Sequence, residues 1–149
     1  MPSFSSKKDM MKILNDKIQL QTKGFCHVID ITGDVEHKIN ESEIHNGLVT
    51  VFVVGSTAAL TTVEYEPGLV KDLDELFERL VPKDKYYNHE EAWHDGNGFS
   101  HVRASLLKPS LTIPLADGKM TLGTWQQIVL IDFDNRPRSR SVAIQVMGK

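Results

Sequence analysis

Hydrophobic and polar positions alternate with a period of two along much of this chain, the pattern of strands half covered by a core. In residues 13–22, Ile18 and Leu20 alternate with polar neighbours, and residues 25–32 (FCHVIDIT) form a second strand after Gly24. The pair suits a hairpin or a sheet edge. Asn46-Gly47 is a turn dipeptide. Residues 48–54 then run apolar and rich in β-branched side chains, which predicts a strand covered on both faces. Residues 59–65 (ALTTVEY) give another strand after the small-residue turn Gly55-Ser56-Thr57. Residues 111–115, 121–132 and 141–147 complete the set. Asp117-Gly118 is a hairpin turn between the first two, and residues 135–140 (NRPRSR) make a basic connection to the last.

The period changes once. Over residues 67–81, Leu69, Leu73, Leu76, Phe77 and Leu80 recur at spacings of three and four, so one helical stripe faces the core. Pro67 suits the first turn and Pro82 ends the run, while Asp72, Asp74, Glu75 and Glu78 occupy the solvent face. Residues 34–43 are polar and read as a short helix capped by Asp34. Residues 102–107 fit either a helical turn or a strand. The sum is an α+β protein dominated by antiparallel strands, with one principal helix.

The chain has 149 residues, 40% of them hydrophobic and 25% charged, which fits one domain over residues 1–149, frayed over about the first nine. A formal net charge of −3 supplies no general attraction for nucleic acid or an anionic membrane. No apolar run approaches the roughly 18 residues of a membrane-spanning helix. The N-terminal MPSFSSKKDMMKIL is a poor secretory signal, and Cys26 is the one cysteine, so no intrachain disulfide can form. A cytoplasmic location is the default expectation.

Chemistry concentrates between Asn88 and His101 (NHEEAWHDGNGFSH), where His89, His94 and His101 stand beside Glu90, Glu91 and Asp95. The stretch is too polar for a core strand, and its glycines argue against one continuous helix. Such a loop can bind a divalent metal or move protons at neutral pH, or it is a surface loop with ordinary hydrogen bonds. The histidine spacings do not place two imidazoles on one helical face, so a metal site would be built by the folded loop, with Asp95 adding an oxygen. At residues 55–59 (GSTAA), small side chains, hydroxyls and free amides suit an anion such as phosphate, or a tight turn. At residues 123–127 (GTWQQ), Trp125 can stack on a flat ring while Gln126 reads its edge, or Trp125 packs in the core. Glu64 and Glu66 precede the helix, each either a general base or a helix cap.

The run Ser110-Leu-Thr-Ile-Pro-Leu-Ala-Asp-Gly-Lys-Met-Thr-Leu-Gly-Thr-Trp-Gln-Gln-Ile128 closely resembles the signature of the YjbQ-like family, also called the secondary thiamine-phosphate synthase family. The upstream SHVRASLLKPSLT and the GSTAALT turn match as well, and the resemblance extends from about residue 17 to 147. It implies a compact α+β sandwich, a homotrimer and a divalent metal, zinc or magnesium, held by histidines. It also implies a weak coupling of a hydroxymethylpyrimidine pyrophosphate to a thiazole phosphate, giving thiamine phosphate.

Carried onto this chain, the resemblance makes His89, Asp95 and His101 the expected metal set. His101 and Glu64 become the catalytic groups. Ser56, Thr57 and Thr124 would hold phosphate oxygens, Arg103 would act as a charged clamp, and Trp125 with Gln126 would hold the heterocycle. Phe99 stands where some relatives have histidine. Many relatives begin the 55–58 motif with His-Thr-Ser-Ala, whereas this chain has Gly55. Alternative functions are a non-catalytic metal- or small-ligand-binding trimer, or a hydrolase or isomerase of a phosphorylated metabolite.

Overall fold

A computed structural model describes residues 10–149, so the expected fraying of residues 1–9 lies outside it. In chain order the elements are β1 (Lys12–Thr22), β2 (His27–Asp30), α1 (Thr32–Ser42), β3 (Gly47–Val54), β4 (Ala58–Val63) and α2 (Pro67–Leu80). These are followed by α3 (Glu90–Trp93), α4 (Gly98–Leu107), β5 (Ser110–Ala116), β6 (Lys119–Met120), β7 (Gln127–Asp132) and β8 (Arg138–Gly148).

The strands form two antiparallel sheets. The larger has the order β1-β8-β3-β5-β6 and the smaller β2-β7-β4. Apolar alternate residues of the large sheet (Val49, Val51, Val53, Ile113, Val142, Ile144) pack against Leu60, Ile128 and Leu130 of the small sheet and against Val35 and Ile39 of α1. The small sheet's other face, carrying Val28, Ala59, Val129 and Ile131, is covered by Phe77 of α2, Ala104 of α4 and Phe133. The result is a sandwich of two sheets with helices as a third layer. The α+β class and the antiparallel pairing are those expected.

Several local expectations change. The strand covered on both faces is β7, whose residues from Ile128 to Asp132 are all buried. β3 alternates instead, with Leu48, Phe52 and Val54 exposed. Its unbroken apolar run hid which face was solvated. Residues 121–132 are not one strand, because a turn over residues 121–126 separates β6 from β7. The segment 102–107 belongs to a helix that begins at Gly98. α1 starts at Thr32, with Ile31 as its N-cap residue and Asp34 inside the first turn rather than capping it. The principal helix forms as its period predicts. The Glu66 carboxylate caps it, accepting the N–H of Gly68 at 2.9 Å and that of Leu69.

Candidate functional site

The histidine stretch folds as two helices joined by a reversal. α3 is a single turn whose N-cap residue is His89. It stops because His94 and Gly96 take left-handed φ values of 51° and 65°. Glu90 Oε1 accepts the Gly96 N–H and closes the reversal. Asn97, buried at its end, holds three groups. Its N–H donates to Asp95 Oδ1 (3.1 Å), and its Oδ1 accepts from Ser100 Oγ (2.6 Å) and from the Asn135 N–H (3.1 Å). α4 then starts against the preceding chain at Gly98, where an added Cβ would stand 2.5 Å from Tyr87 Cβ and 3.2 Å from His89 Cβ. That close approach brings His101, on the first turn of α4, over His89. Their ring centroids lie 4.4 Å apart with planes inclined at 34°.

Behind the pair lies a buried ionic network. Asp132 and Asp134, on alternate positions at the end of β7, meet Arg138 and Arg140, on alternate positions at the start of β8. Arg140 donates from Nε and Nη2 to the two oxygens of Asp132 at 2.7 and 2.9 Å, and from Nη2 to Thr57 Oγ1 at 2.6 Å. Thr57 in turn donates to Asp134 Oδ2 (2.8 Å), which also accepts from Arg138 Nε (2.9 Å), and Thr22 donates to Asp132 Oδ2 (2.6 Å). Buried charges persist only when paired and hydrogen-bonded in this way. Burial pushes the Asp134 carboxyl upward. The Thr57 and Arg138 hydrogen bonds, with the Arg138 charge, outweigh it and hold the group below its ordinary 3.8.

Two polar atoms near the pair are buried without a hydrogen-bond partner, His89 Nδ1 and Asp134 Oδ1. His89 Nδ1 is 3.5 Å from Asp95 Oδ1, beyond a good hydrogen bond. Burial first, and the neighbouring His89 second, lower the proton affinity of His101 below the ordinary 6.5, against the opposing pull of Asp95 and Asp134. His101 also lines a cavity of about 290 Å³ together with Gly55, Ser56, Ala58, Ala104, Ser105 and Pro109. A neutral imidazole at the wall of a small cavity can accept a proton at neutral pH.

The structure brings together only part of the expected set. His89, Asp95, His101 and Ser56 lie around this centre. Thr57 is beside it but below the surface, its hydroxyl engaged by Asp134 and Arg140. Arg103 is no clamp: it is fully buried and donates to Val81 O (2.9 Å) and Glu78 Oε2 (2.8 Å), tying α4 to α2. Thr124, Trp125 and Gln126 precede Gln127, the far end of β7 from Asp132. Five residue steps along a strand amount to about 17 Å. There Thr124 and Gln126 border a separate cavity of about 620 Å³ against α1 and the 117–120 hairpin.

Trp125 is 71% exposed, so it is not a core residue. The Gln126 amide is engaged at both ends, accepting from the Gly123 N–H (3.0 Å) and donating to Thr62 Oγ1 (3.0 Å). Glu64 follows β4 at this same far end, because Val63 pairs with Gln127. It is exposed and distant from the histidines. Sequence reasoning missed Asn97, Asp132, Asp134, Arg138 and Arg140. The available signal was two acids and then three arginines at period two in DFDNRPRSR, the spacing that places alternate residues on one side of a strand.

The donor types suit a divalent ion, but the arrangement does not. Among the described residues no group of three or more His, Cys, Asp or Glu side chains is placed to hold one. Gly55, where the resemblance leads one to expect histidine, has its own explanation. Its φ is +145°, and an added Cβ would lie 2.7 Å from Arg140 Nη1, so the guanidinium fills the space a side chain would need.

Comparison with known proteins gives a consistent picture. The family described as UPF0047 protein YjbQ-like matches residues 16–149. A UPF0047 protein of Methanothermobacter thermautotrophicus is 38% identical over 139 residues, covering 93% of this chain and 95% of its own. One from Archaeoglobus fulgidus is 39% identical, covering 88% and 99%. A crystal structure of a YbjQ-like protein of unknown function from Sulfolobus solfataricus P2 superposes with a TM-score of 0.89 at 31% identity, covering 94% of this chain and all of the other. A hypothetical protein from Aeropyrum pernix K1 gives 0.85 at 30%, covering 91% and 99%. With the family matching residues 16–149 and relatives 38–39% identical over nearly its full length, the chain belongs to the UPF0047, YjbQ-like family.

Proposed function

We propose that the chain is an enzyme acting on a small phosphorylated metabolite, with His101 as the proton-transferring group. The observation that carries this reading is the packing of His101 against His89 at the wall of a cavity. The desolvated ring of His101 stays neutral at pH 7 and can take a proton from a group seated beside Ser56. His89 and the Asn97 latch hold it in place. The specific form that the family resemblance implies is thiamine-phosphate synthesis. Pyrophosphate leaves a hydroxymethylpyrimidine carbon as a thiazole nitrogen forms its bond there. In that form Ser56 and His101 would hold the departing group.

The same reading includes a divalent ion, zinc or magnesium, and a cytoplasmic homotrimer. His89, Asp95 and His101 would offer two nitrogens and a carboxylate, but they are not placed as a set that could hold the ion, so no step above runs through it. Elemental analysis of purified protein and sedimentation velocity test these two parts. The catalytic reading is tested by supplying the two precursors to wild-type and His101→Asn protein and measuring thiamine phosphate. Coupling that His101→Asn lowers at least about 100-fold, the lower end of a general acid–base contribution, supports it. Coupling indifferent to that substitution would overturn it.

A further inference from the structure

We propose that the outer face of the large sheet is where another copy of this chain docks, and that the docked copy roofs the cavity beside His101. The inference rests on the oligomer of the proposed function and names the surface that forms it and its use to the site. The strand registers put one row of apolar side chains across four strands: Ile13, Met147, Leu48 and Pro114. Ile13 is 60% exposed and Leu48 41%. Phe52 and Val54, exposed as well, carry the apolar surface along β3. The neighbouring row is polar without charge: Asn15, Gln145, Thr50 and Thr112. Among the outward positions, odd in β1 and β8 and even in β3 and β5, Lys17 is the one charged residue.

In a chain that is 25% charged, a sheet face left to water normally carries charges. Their depletion around exposed apolar side chains is the composition of an interface core. The polar groups of the face are already paired with one another. Gln145 Nε2 donates to Asn15 Oδ1 at 2.8 Å, Gln21 Nε2 donates to Ser139 Oγ at 3.1 Å, and the Thr50 and Thr112 hydroxyls lie 3.4 Å apart. Covering the face therefore strands few hydrogen-bonding groups. It offers no charge pattern for an unlike partner to complement. Amide and hydroxyl side chains both donate and accept, so the same uncharged surface on another copy can meet them. Four strands about 4.8 Å apart and about 25 Å long give a footprint of roughly 500 Å² before side-chain relief. Val102 and Leu106, exposed on α4, extend it toward the roughly 800 Å² per partner of a stable interface.

The face ends at the histidine cavity. Val54 precedes Gly55, Leu106 follows Ser105, and the Val53 N–H donates to Pro109 O at 2.9 Å, so strand and helix meet around three of the lining residues. At about 290 Å³ the cavity of a single chain is at the small end for ligand pockets. A copy seated on Val54 and Leu106 supplies a further wall and keeps water from His101.

The test is sedimentation velocity of the full chain, with the rate at which diethyl pyrocarbonate modifies His101 reporting on the roof. Wild type is expected to be oligomeric. Phe52→Glu should dissociate it with an unchanged far-UV spectrum, because the position is exposed in the single chain and its charge is buried unpaired in the assembly. Gln145→Glu, in the neighbouring row, should do the same and stands in if Phe52→Glu does not fold. Leu80→Glu, exposed on α2 away from the face, should leave association intact. Dissociation should speed modification of His101 at least about tenfold, since water and reagent are no longer shut out. A wild-type chain still monomeric at about 100 μM removes the oligomer and this face together. Oligomers indifferent to both face variants remove the face alone, and dissociated variants with unaltered His101 modification remove the roof. Turnover plays no part, so the catalytic reading of His101 stands or falls separately.

Discussion

Asn97 Oδ1 accepts the backbone N–H of Asn135 at 3.1 Å, joining the histidine loop to the turn after β7 across 38 residues of sequence. The same oxygen takes the Ser100 hydroxyl, and Asn135 Nδ2 answers by donating to Asp95 O at 2.7 Å. Asn97→Ala leaves the part-buried Asn135 N–H without its partner, while the Ser100 hydroxyl keeps the Asn97 carbonyl, so the loss is about 1–3 kcal/mol. Urea denaturation should show that loss. Under the proposed function, turnover should fall more steeply than stability, because the loop that aims His89 is released. A variant as stable as wild type would mean that the latch is not what fixes the loop.

Gly98 makes a second, steric prediction. Gly98→Ala drives a methyl group into Tyr87 and His89. Overpacking of this kind costs roughly 1–3 kcal/mol. Its signature should be loss of the His89–His101 contact, read as chemical-shift changes in both rings. Intact ring shifts would show that the two chain segments have room to part.

The buried network predicts unequal losses from similar-looking changes. Asp132→Asn strips Arg140 of its bidentate partner within the protein and should cost about 3–5 kcal/mol. Arg138→Gln removes one of two arginines from the buried Asp134, which keeps the Thr57 hydrogen bond and Arg140 at 3.6 Å, and should cost less, about 1–3 kcal/mol. Chemical denaturation of both variants checks the ranking. Equal losses would contradict it.

Acid should loosen the protein before any carboxylate is protonated. Burial first of all holds both His27 and His101 below the ordinary 6.5. The unfolded chain therefore binds these protons more readily than the folded one. Stability is fully present above the unfolded value and falls as pH drops through it toward the folded values. Urea midpoints across about pH 5–8 should decline on the acid side, with a shallower slope in His101→Asn. Activity requiring neutral His101 should carry its acid limb below 6.5. A limb above that value would remove His101 as the base.

At the far end of β7, two neighbours should behave oppositely to their size. Trp125→Ala should change stability by no more than about 0.5 kcal/mol, because the indole is exposed. Gln126→Ala loses two hydrogen bonds at about 1 kcal/mol each. If Trp125 stacks on a substrate ring, its removal should raise KM and leave kcat alone. A large loss of stability instead would assign Trp125 a packing role.

The period of apolar positions disclosed most of the strands and all of α2, because a half-buried strand or helix writes its geometry into the chain. It could not separate β3 from β7, since an unbroken apolar run looks alike whether one face or both are covered. α4 was ambiguous for a related reason: of its buried residues only Phe99 and Ala104 are apolar, and Gly98, Ser100 and Arg103 interrupt the stripe that would mark a helix. The histidine loop stood out by composition, yet Asn97 and the two Asp–Arg pairs did not. Their importance comes from meeting across the chain, and single-residue character does not record such meetings. Arg103 shows the converse, a charge that reads as surface and is fully enclosed.

β8 comes last in chain order among the described elements, yet it lies between β1 and β3 and pairs with both along most of its length. During synthesis the large sheet therefore cannot close until β8 has left the ribosome. Until then Asp132 and Asp134 await the arginines that neutralise them. A nascent chain stalled before Arg138 would hold two carboxylates that cannot be buried. Quality-control machinery could recognise such a chain by its charge as well as by its exposed apolar strands.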